Sequence, residues 1–126
     1  MMPKPFKLKP LTPTEHQVQT ACLQYLAVCP SVAWAQRMNT GAVKIPAIDG
    51  KPPRFVRYGF PGCSDILGQM TDGRVLAIEV KSAAGRATEA QDAFLKRVAT
   101  YGGVAGVVRS TAQLQALIAM YEVQAA

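Results

Sequence analysis

The sequence predicts an α/β fold in which a mixed β-sheet is flanked by helices. Three segments carry apolar residues at helical spacing, and short apolar runs bounded by turn residues lie between them. Towards the C-terminus a strand, a helix and a second strand follow one another, and such a crossover joins parallel strands. The predicted elements are a helix over 12–28, strands over 32–38, 55–58, 65–70 and 74–82, a helix over 88–101, a strand over 104–109 and a helix ending near 123.

Helix starts and stops are marked by capping and breaking residues. Thr12 is predicted as the N-cap of the first helix with Glu15 at N3, and Pro30 ends that helix. Thr88 is predicted to cap the second helix with Gln91 at N3, and the third begins at residues 110–111. Segment 39–53, rich in Gly, Pro and Lys, is predicted as a loop or hairpin arm between strands.

Composition indicates one globular domain with a polyanionic partner. The chain has 126 residues, 49% hydrophobic, and a formal net charge of +6. We expect a mobile basic arm over 1–11 and a single domain over 12–126. The three cysteines are widely spaced, which disfavours a zinc site or disulfide framework and favours a reducing cytoplasm. No apolar run approaches the ~20 residues of a membrane span.

The basic side chains are concentrated in one stretch. Residues 37–57 hold five cationic side chains and a single acid, Asp49. A merely basic soluble protein is the alternative, but this placement favours phosphate contacts. The predicted nucleic-acid-binding residues, to which Asn39 at the exit of the first strand is added, are Arg37, Asn39, Lys44, Lys51, Arg54 and Arg57.

Three charged residues on neighbouring strands suggest a chemical site. Asp65 follows a Pro-Gly turn and opens one apolar run, while Glu79 and Lys81 stand two apart at the end of the next. Residues i and i+2 of a strand project to the same face, so Glu79 and Lys81 point together. Two carboxylates and a lysine suit Mg²⁺- or Mn²⁺-dependent phosphodiester hydrolysis, in which oxygen ligands hold a hard cation.

The turn between these strands decides whether the two carboxylates meet. A two-residue Asp72-Gly73 loop, the commonest hairpin signal, would place Asp65 and Glu79 on opposite faces of the sheet. A three-residue loop over 71–73, with Gly73 in the left-handed position, would set them directly opposite one another. Their Cβ atoms would then be ~5 Å apart, which is destabilising unless a cation lies between the charges. A metal site requires both carboxylates on one face of the sheet, and Gly73 suits the turn that places them there. For these two reasons we predict the three-residue loop.

The ordered set of motifs resembles the VRR-NUC family of the PD-(D/E)xK nuclease superfamily over about residues 12–112. The resemblance is carried by the segment YGFPGCSD ending at Asp65, by the run EVKS from Glu79, and by Gly85, Thr88, Gln91 and Gly103. The usual Pro-Asp dipeptide is Ser64-Asp65 in this chain, a change that the family tolerates. A stand-alone domain of this size is similar to the short viral and bacteriophage members. The resemblance implies a restriction-endonuclease-like fold.

The resemblance also implies roles for individual residues. Asp65, Glu79 and the backbone carbonyl of Val80 would be metal ligands, and Lys81 would orient or polarise the attacking water. Glu15 would match the acid of the first helix that approaches the metal, and Gln91 the glutamine of the helix after the active-site strand. Each has a plainer interpretation: Asp65 as a turn acid, Glu79 and Lys81 as an exposed ion pair, Glu15 and Gln91 as capping-box partners.

The remaining aromatic residues and the sole histidine are given structural roles. Trp34 is predicted in the core rather than as a base-stacking platform, and Tyr101 and Tyr121 as core or interface residues. His16 is predicted as a partly exposed helix residue, which argues against histidine-based acid chemistry.

We expect a DNA endonuclease that is selective for DNA structure, because nothing in the chain suggests a separate sequence-reading domain. A homodimer acting on branched or Holliday-junction DNA would place one active site on each strand. The alternative is a catalytically inactive nucleic-acid-binding subunit with the same fold, and a third interpretation is a basic structural protein without a metal site. Intact Asp65, Glu79 and Lys81 favour the enzyme.

Overall fold

The computed structural model of the chain describes residues 2–5, 12–38 and 41–125, with the backbone alone at 41–42, 57–58 and 123–125. The described part contains three helices and six strands. They are α1 (Glu15–Val28), β1 (Val32–Arg37), β2 (Gly41–Ile45), β3 (Arg54–Tyr58), β4 (Ile66–Met70), β5 (Val75–Val80), α2 (Glu89–Thr100), β6 (Val104–Val108) and α3 (Thr111–Ala125).

Four of the strands form a mixed sheet in the order β1-β4-β5-β6. The β1/β4 and β4/β5 pairs are antiparallel, whereas β5 and β6 are parallel because α2 connects them. The α/β architecture with a mixed sheet and flanking helices, predicted from the sequence, is confirmed.

The main core lies on one face of the sheet, beneath α1 and α3. Alternate residues of β4 and β5 point to this face, because successive side chains of a strand point to opposite sides. Their apolar side chains meet those of the two helices in one buried cluster. The fully buried members of the cluster include Cys22, Leu26, Ile66, Met70, Leu76, Ile78, Val80, Val104, Val108, Leu114 and Ile118.

The opposite face of the sheet is covered by α2, which packs against β5 and β6. This helix buries Leu95, and Gly103 allows the chain to pass close to the side chain of Val98. A Cβ atom at Gly103 would lie 2.4 Å from Val98 Cγ1. The residues of β5 that alternate with the core residues therefore face α2, and Glu79 is one of them.

The turn between β4 and β5 has the predicted three-residue loop. Ile66 pairs with Ile78 and Gln69 with Val75, while the N–H of Met70 donates to the carbonyl of Arg74 at 2.8 Å. Gly73 adopts a φ of 95°, which an L-residue rarely adopts. The predicted register is confirmed over the commoner two-residue loop, and its next step sets Asp65 opposite Glu79.

The first helix starts two residues later than predicted. Its N-cap is Thr14, whose hydroxyl accepts from the N–H of Gln17 while the Gln17 side chain accepts from the N–H of Thr14. The prediction of Thr12 as N-cap and Glu15 at N3 is therefore wrong. Thr12 and Thr14 both carry a hydroxyl that can cap a helix, and the chain uses the second of them as the N-cap, with Gln17 at N3. Glu15 is the first residue of the helix and takes no part in the capping box.

The predicted hairpin arm is a separate two-stranded ribbon, β2 paired with β3, outside the four-stranded sheet. We call residues 41–58 the basic hairpin. Its register pairs Lys44 with Phe55 and Ile45 with Arg54. Apolar side chains are exposed along it: Phe55 to 71%, Ile48 to 57% and Val43 to 45%. A two-stranded ribbon has no second layer to bury these side chains.

The prediction that Trp34 lies in the core is wrong, and Tyr101 does not lie in the core either. Trp34 is 51% exposed, and its indole N–H donates to Gln69 Oε1 at 3.1 Å. It lies on β1, at the edge of the sheet, and α2 covers only β5 and β6. Tyr101 is 86% exposed at the end of α2, whereas Tyr121 packs against the core cluster as predicted.

Among the helices described, none is both long enough and apolar enough to cross a lipid bilayer.

Candidate active site

The site lies at the end of the sheet where β4 begins and β5 ends. Asp65 immediately precedes β4, and one of its carboxylate oxygens, Oδ2, accepts a 2.8 Å hydrogen bond from the backbone N–H of Val80. This bond crosses from one strand to the other, so it fixes the Asp65 side chain beside the end of β5. Asp65 and Glu79 therefore stand next to one another, as the register requires.

Glu79 is a buried carboxylate with incomplete hydrogen bonding. It is 1% exposed; its Oε1 accepts from Gln91 Nε2 at 3.1 Å and lies 3.6 Å from Lys81 Nζ. Its second oxygen, Oε2, is buried without a hydrogen-bond partner among the described residues. Buried polar atoms are ordinarily paired, so this oxygen is an exception that the neighbouring Asp65 carboxyl bears on directly.

The environment of Glu79 disfavours its ionised form. Burial is the largest cause and the neighbouring Asp65 carboxylate the next, and together they raise the pKa of Glu79 to about 8 against the opposing effect of Lys81. A carboxyl group with such a pKa retains its proton at neutral pH until a cation compensates the charge.

Lys81 follows Glu79 by two residues and projects towards the same side. Its side chain is 14% exposed, and its backbone N–H donates to the carbonyl of Val108 at 3.1 Å, which continues the β5/β6 ladder beyond the strand. The site therefore holds a largely buried lysine side chain whose ammonium group lies beside the Glu79 carboxylate.

The loop that carries Asp65 is docked on α2. Gly62 has a φ of 81°, and a Cβ atom there would lie 2.3 Å from the carbonyl oxygen of Ala90. Phe60 adds an edge-to-face contact with Phe94, with ring centroids 5.0 Å apart. Only glycine combines this backbone angle with so close an approach, so Gly62 sets the path of the loop into Asp65.

Gln91 performs both of the roles considered from the sequence. Its Oε1 accepts from the N–H of Thr88 at 2.8 Å, and its N–H donates to the Thr88 hydroxyl at 3.2 Å, which completes a capping box. Its Nε2 donates to Glu79. The sequence analysis treated capping and site contact as alternatives, but the two ends of one amide satisfy both.

Glu15 lies on α1, which packs on the face opposite to α2. The side chain is half-buried at the first turn, and its neighbour His16 lies with Nδ1 3.3 Å from Arg37 Nη2. Among the described residues no group of three or more His, Cys, Asp or Glu side chains is gathered as a metal centre. The structure brings Asp65 and Glu79 together but does not add Glu15 as a third carboxylate.

The sequence analysis missed two neighbours of the site. Cys63 is buried, and burial first and the Glu79 carboxylate second raise the pKa of its thiol. Arg109, just after β6, donates to the carbonyls of Ser82 and Gly85 and so holds the connection that follows Lys81. Cys63 lies in the segment YGFPGCSD that carries the resemblance, but no role was predicted for its thiol, and nothing in the sequence marks Arg109 as a partner of residues 82–85.

The predicted DNA-binding residues are only partly described. Arg37 lies at the end of β1, and Lys44, Lys51 and Arg54 are exposed on the basic hairpin. Asn39 and the side chain of Arg57 lie outside the described residues. Arg37 pairs with Ile66 across the β1/β4 ladder, so it stands at the same end of the sheet as Asp65.

The chain matches the family model of the VRR-NUC domain over residues 14–112. No curated protein and no solved structure matches it significantly. The matched range covers most of the chain and contains Asp65, Glu79, Lys81 and Gln91, and the mixed sheet with flanking helices agrees with a restriction-endonuclease-like fold. The chain therefore belongs to the VRR-NUC family, a group of nuclease domains of the PD-(D/E)xK type whose substrate is DNA.

Proposed function

We propose that the chain is an endonuclease that hydrolyses DNA phosphodiester bonds with Mg²⁺ or Mn²⁺, and that it selects DNA by structure rather than by sequence. Asp65, Glu79 and the carbonyl of Val80 are the proposed metal ligands. Lys81 and Gln91 complete the proposed catalytic group, and the basic hairpin with Arg37 supplies the phosphate contacts.

The observation that carries this proposal is the buried, unpaired Oε2 of Glu79 beside Asp65. An ionised pair at this position would be strongly unfavourable without a compensating cation. Carboxylate and carbonyl oxygens are the ligands that Mg²⁺ and Mn²⁺ prefer. The donor set fits a hard divalent cation, and it offers too few nitrogen or sulfur ligands for a zinc site.

A bound divalent cation would supply a water of lowered pKa and would stabilise the negative charge that develops on the phosphate. Asp65 is held for this task by the N–H of Val80, and Glu79 by the amide of Gln91. Glu15 remains a candidate as a further ligand from the far side of the sheet end, acting through a water or after a change of side-chain rotamer.

Lys81 is proposed to orient the attacking water and to stabilise the phosphate. Its ammonium group lies 3.6 Å from Glu79 Oε1, so it faces the position where the phosphate would meet the carboxylates. A nearly buried cation acts more strongly on a developing negative charge than an exposed one, because less water screens it.

The basic hairpin is suited to hold DNA beside this site. It leaves the sheet after β1 and returns through the loop that ends at Asp65, and the N–H of Met38 donates to the Asp65 carbonyl at 2.7 Å. Met38, three residues before the hairpin, is therefore anchored beside Asp65. Each five-residue strand spans ~16 Å, the length of about five base pairs at ~3.4 Å each.

Selectivity for DNA structure follows from the kind of contacts that the chain offers. Lysine and arginine contacts to phosphates position a protein on DNA without reading its bases. A branched or junction DNA presents backbones at angles that a plain duplex lacks, and a homodimer would place one site on each of two strands. We propose such a dimer as the cleaving form.

A cleavage panel tests the proposal. Junction, flap, splayed-arm and plain duplex DNAs are incubated with Mg²⁺, Mn²⁺ or chelator, using wild type, Glu79→Gln and Glu89→Gln. Glu89 is an exposed acid in the first turn of α2, so its variant controls for the loss of one negative charge. We expect metal-dependent cleavage by wild type and Glu89→Gln, and none by Glu79→Gln.

Three outcomes would contradict the proposal in different ways. Cleavage by wild type in excess chelator would show that the reaction does not need a metal ion. DNA binding without cleavage in any metal would favour an inactive nucleic-acid-binding subunit. Equal cleavage of duplex and branched DNA would support the nuclease activity but contradict the proposed selectivity for DNA structure.

A further inference from the structure

The starts of all three helices share one sequence pattern, a hydroxyl residue followed three positions later by glutamine. Thr14 and Gln17 start α1, Thr88 and Gln91 start α2, and Ser110 with residue 113 starts α3. In each, the hydroxyl accepts from the backbone N–H of the glutamine, at 3.1–3.2 Å. Such capping normally satisfies free backbone groups and has no further role.

Among the helix starts described, that of α2 is the one whose glutamine hydrogen-bonds a carboxylate of the site. Gln91 Oε1 accepts from the N–H of Thr88 at 2.8 Å, which leaves its Nε2 free to donate to Glu79 Oε1 at 3.1 Å. Turning the amide over would place a donor against the Thr88 N–H and an acceptor against the carboxylate. The cap therefore determines which end of the Gln91 amide faces Glu79.

We propose that Thr88 is a positioning residue for Glu79 and acts through Gln91. A free glutamine side chain has three rotatable bonds, whereas the capping box fixes Gln91 at both its backbone and its amide oxygen. Glu79 is thereby held with Oε1 on Gln91 and its buried Oε2 directed away from it. This inference rests on the proposed metal-dependent cleavage, because it concerns how one of the proposed ligands is oriented.

The loop that carries Asp65 docks on the same turn of α2. Gly62 lies against the carbonyl of Ala90, one residue before Gln91. The hydrogen bonds of Thr88 itself reach the site only through Gln91 and Glu79, whereas Ser110 caps α3 on the other face of the sheet and bonds neither carboxylate. This difference gives the proposal a matched control.

The experiment compares Thr88→Ala with Ser110→Ala, with Thr88→Ser as the conservative variant. Thr14 is a poorer control because Glu15, a candidate ligand, follows it. All variants are assayed for cleavage well below their unfolding midpoints. We expect both alanine variants to lose a similar amount of thermal stability, because each loses one cap. Only Thr88→Ala should lower kcat, by about tenfold, with KM unchanged, and Thr88→Ser should restore it.

A second measurement does not depend on cleavage. In chelator, the side-chain amide protons of Gln91 should be protected from solvent exchange in wild type and in Ser110→Ala, and should lose that protection in Thr88→Ala. Mn²⁺ affinity measured by calorimetry should fall in Thr88→Ala alone. A Thr88→Ala/Gln91→Ala double variant should be no slower than Gln91→Ala, because the effect of Thr88 passes through Gln91.

The outcomes separate this inference from the proposed function. If wild type cleaves DNA and Thr88→Ala matches Ser110→Ala in kcat, the cap is merely structural and the inference is wrong. A double variant slower than Gln91→Ala by the full Thr88 effect would show that Thr88 acts without Gln91, which also overturns it. If wild type neither cleaves DNA nor binds Mn²⁺, the proposed function itself fails.

Discussion

The end of the four-stranded sheet and the basic hairpin place their charged side chains in opposite environments, the first largely buried and the second exposed. At the sheet end, Asp65, Glu79 and Lys81 lie close together, with Glu79 buried and one of its oxygens unpaired. On the hairpin, exposed cations lie on a ribbon that has no second layer; they are Lys44, Lys51 and Arg54. Charges in the first region are few and costly to bury, whereas charges in the second are plentiful and remain hydrated.

This difference separates the two parts of the proposed activity. Electrostatic interactions act strongly where water is excluded and are screened where it is not. A buried carboxylate beside a half-buried one, once the proposed cation is bound, would favour one geometry of one phosphate, whereas exposed cations attract any phosphate within reach. Changes at the sheet end should affect turnover, and changes on the hairpin should affect binding.

The largest expected effect is loss of turnover at the sheet end. Glu79→Gln and Lys81→Met keep the approximate shape of each side chain and remove its charge. We expect each to lower cleavage at least about a thousandfold, because stabilisation worth several kcal/mol is removed and every ~1.4 kcal/mol is tenfold. DNA affinity in chelator, measured by fluorescence anisotropy, should stay within a few-fold of wild type.

Strong loss of DNA affinity in either variant would contradict the division of roles between the two regions, because it would show that the sheet end also contributes to DNA binding. Lys96→Gln is the matched control for the lysine change, since Lys96 is exposed on α2 and should alter neither quantity.

The next effect concerns the pH dependence of metal binding. Because the pKa of Glu79 is raised to about 8 by burial and by Asp65, a divalent cation must displace a proton below that pH. Apparent Mn²⁺ affinity should rise about tenfold per pH unit between about pH 6 and 8 and level off above. Calorimetric titrations across and above this range measure the affinity and the protons released. Affinity independent of pH over this range would show that Glu79 is already ionised before the cation binds.

A smaller effect is expected from the hairpin. The double change Lys44→Gln and Lys51→Gln should weaken binding to every DNA alike. It should also lower the slope of log affinity against log salt by about one unit for each phosphate that the variant no longer neutralises. Single-turnover cleavage at saturating DNA should keep its wild-type rate. The paired control, Lys96→Gln with Arg97→Gln on the exposed side of α2, should leave the slope unchanged. Weakened binding confined to one DNA sequence would show that the hairpin reads bases.

The last expected effect is on neither turnover nor binding: it is a gain in stability. Folding raises the pKa of Glu79 from 4.5 to about 8, so between those values the folded state binds the proton that the unfolded state has released. Wild-type stability therefore falls as pH rises through this window, and Glu79→Gln is free of that cost. In chelator the variant should melt higher than wild type at about pH 8 and equally near pH 4.5. Excess Mn²⁺ should reverse the order at the higher pH, because the cation stabilises wild type alone.

Turn chemistry and the requirement of a two-carboxylate site together predicted the β4/β5 turn, although the commonest local signal favoured a two-residue loop. Gly73 favours the three-residue loop, and the need to bring Asp65 to Glu79 selects the same register. Period-two alternation then determines which face each residue of the two strands occupies. The nearness of the two carboxylates was therefore predictable before any tertiary contact was known.

Two kinds of feature could not be predicted from local sequence. One is the choice between two possible N-cap residues, and the other is the burial of residues that depends on which part of the sheet a helix covers. Thr12 and Thr14 are both good N-caps, and the sequence does not reveal which frame the chain uses. Trp34 has the composition of a core residue, but its exposure depends on how far α2 extends across the sheet. The position of Glu15 relative to the site depends on the packing of α1 on the opposite face, which local sequence does not encode.

The cations of the basic hairpin also bear on the behaviour of the protein in concentrated solution. Phe55, Ile48 and Val43 are exposed on a short ribbon, and both outer edges of such a ribbon offer unpaired backbone groups to another chain. Lysine on an exposed edge is a common protection against this kind of aggregation. The side chains that are proposed to attract DNA would then also keep copies of the protein apart in its absence. A variant that lacks the hairpin cations should self-associate at a temperature below its unfolding midpoint. Removing these cations to weaken DNA affinity should therefore also lower solubility.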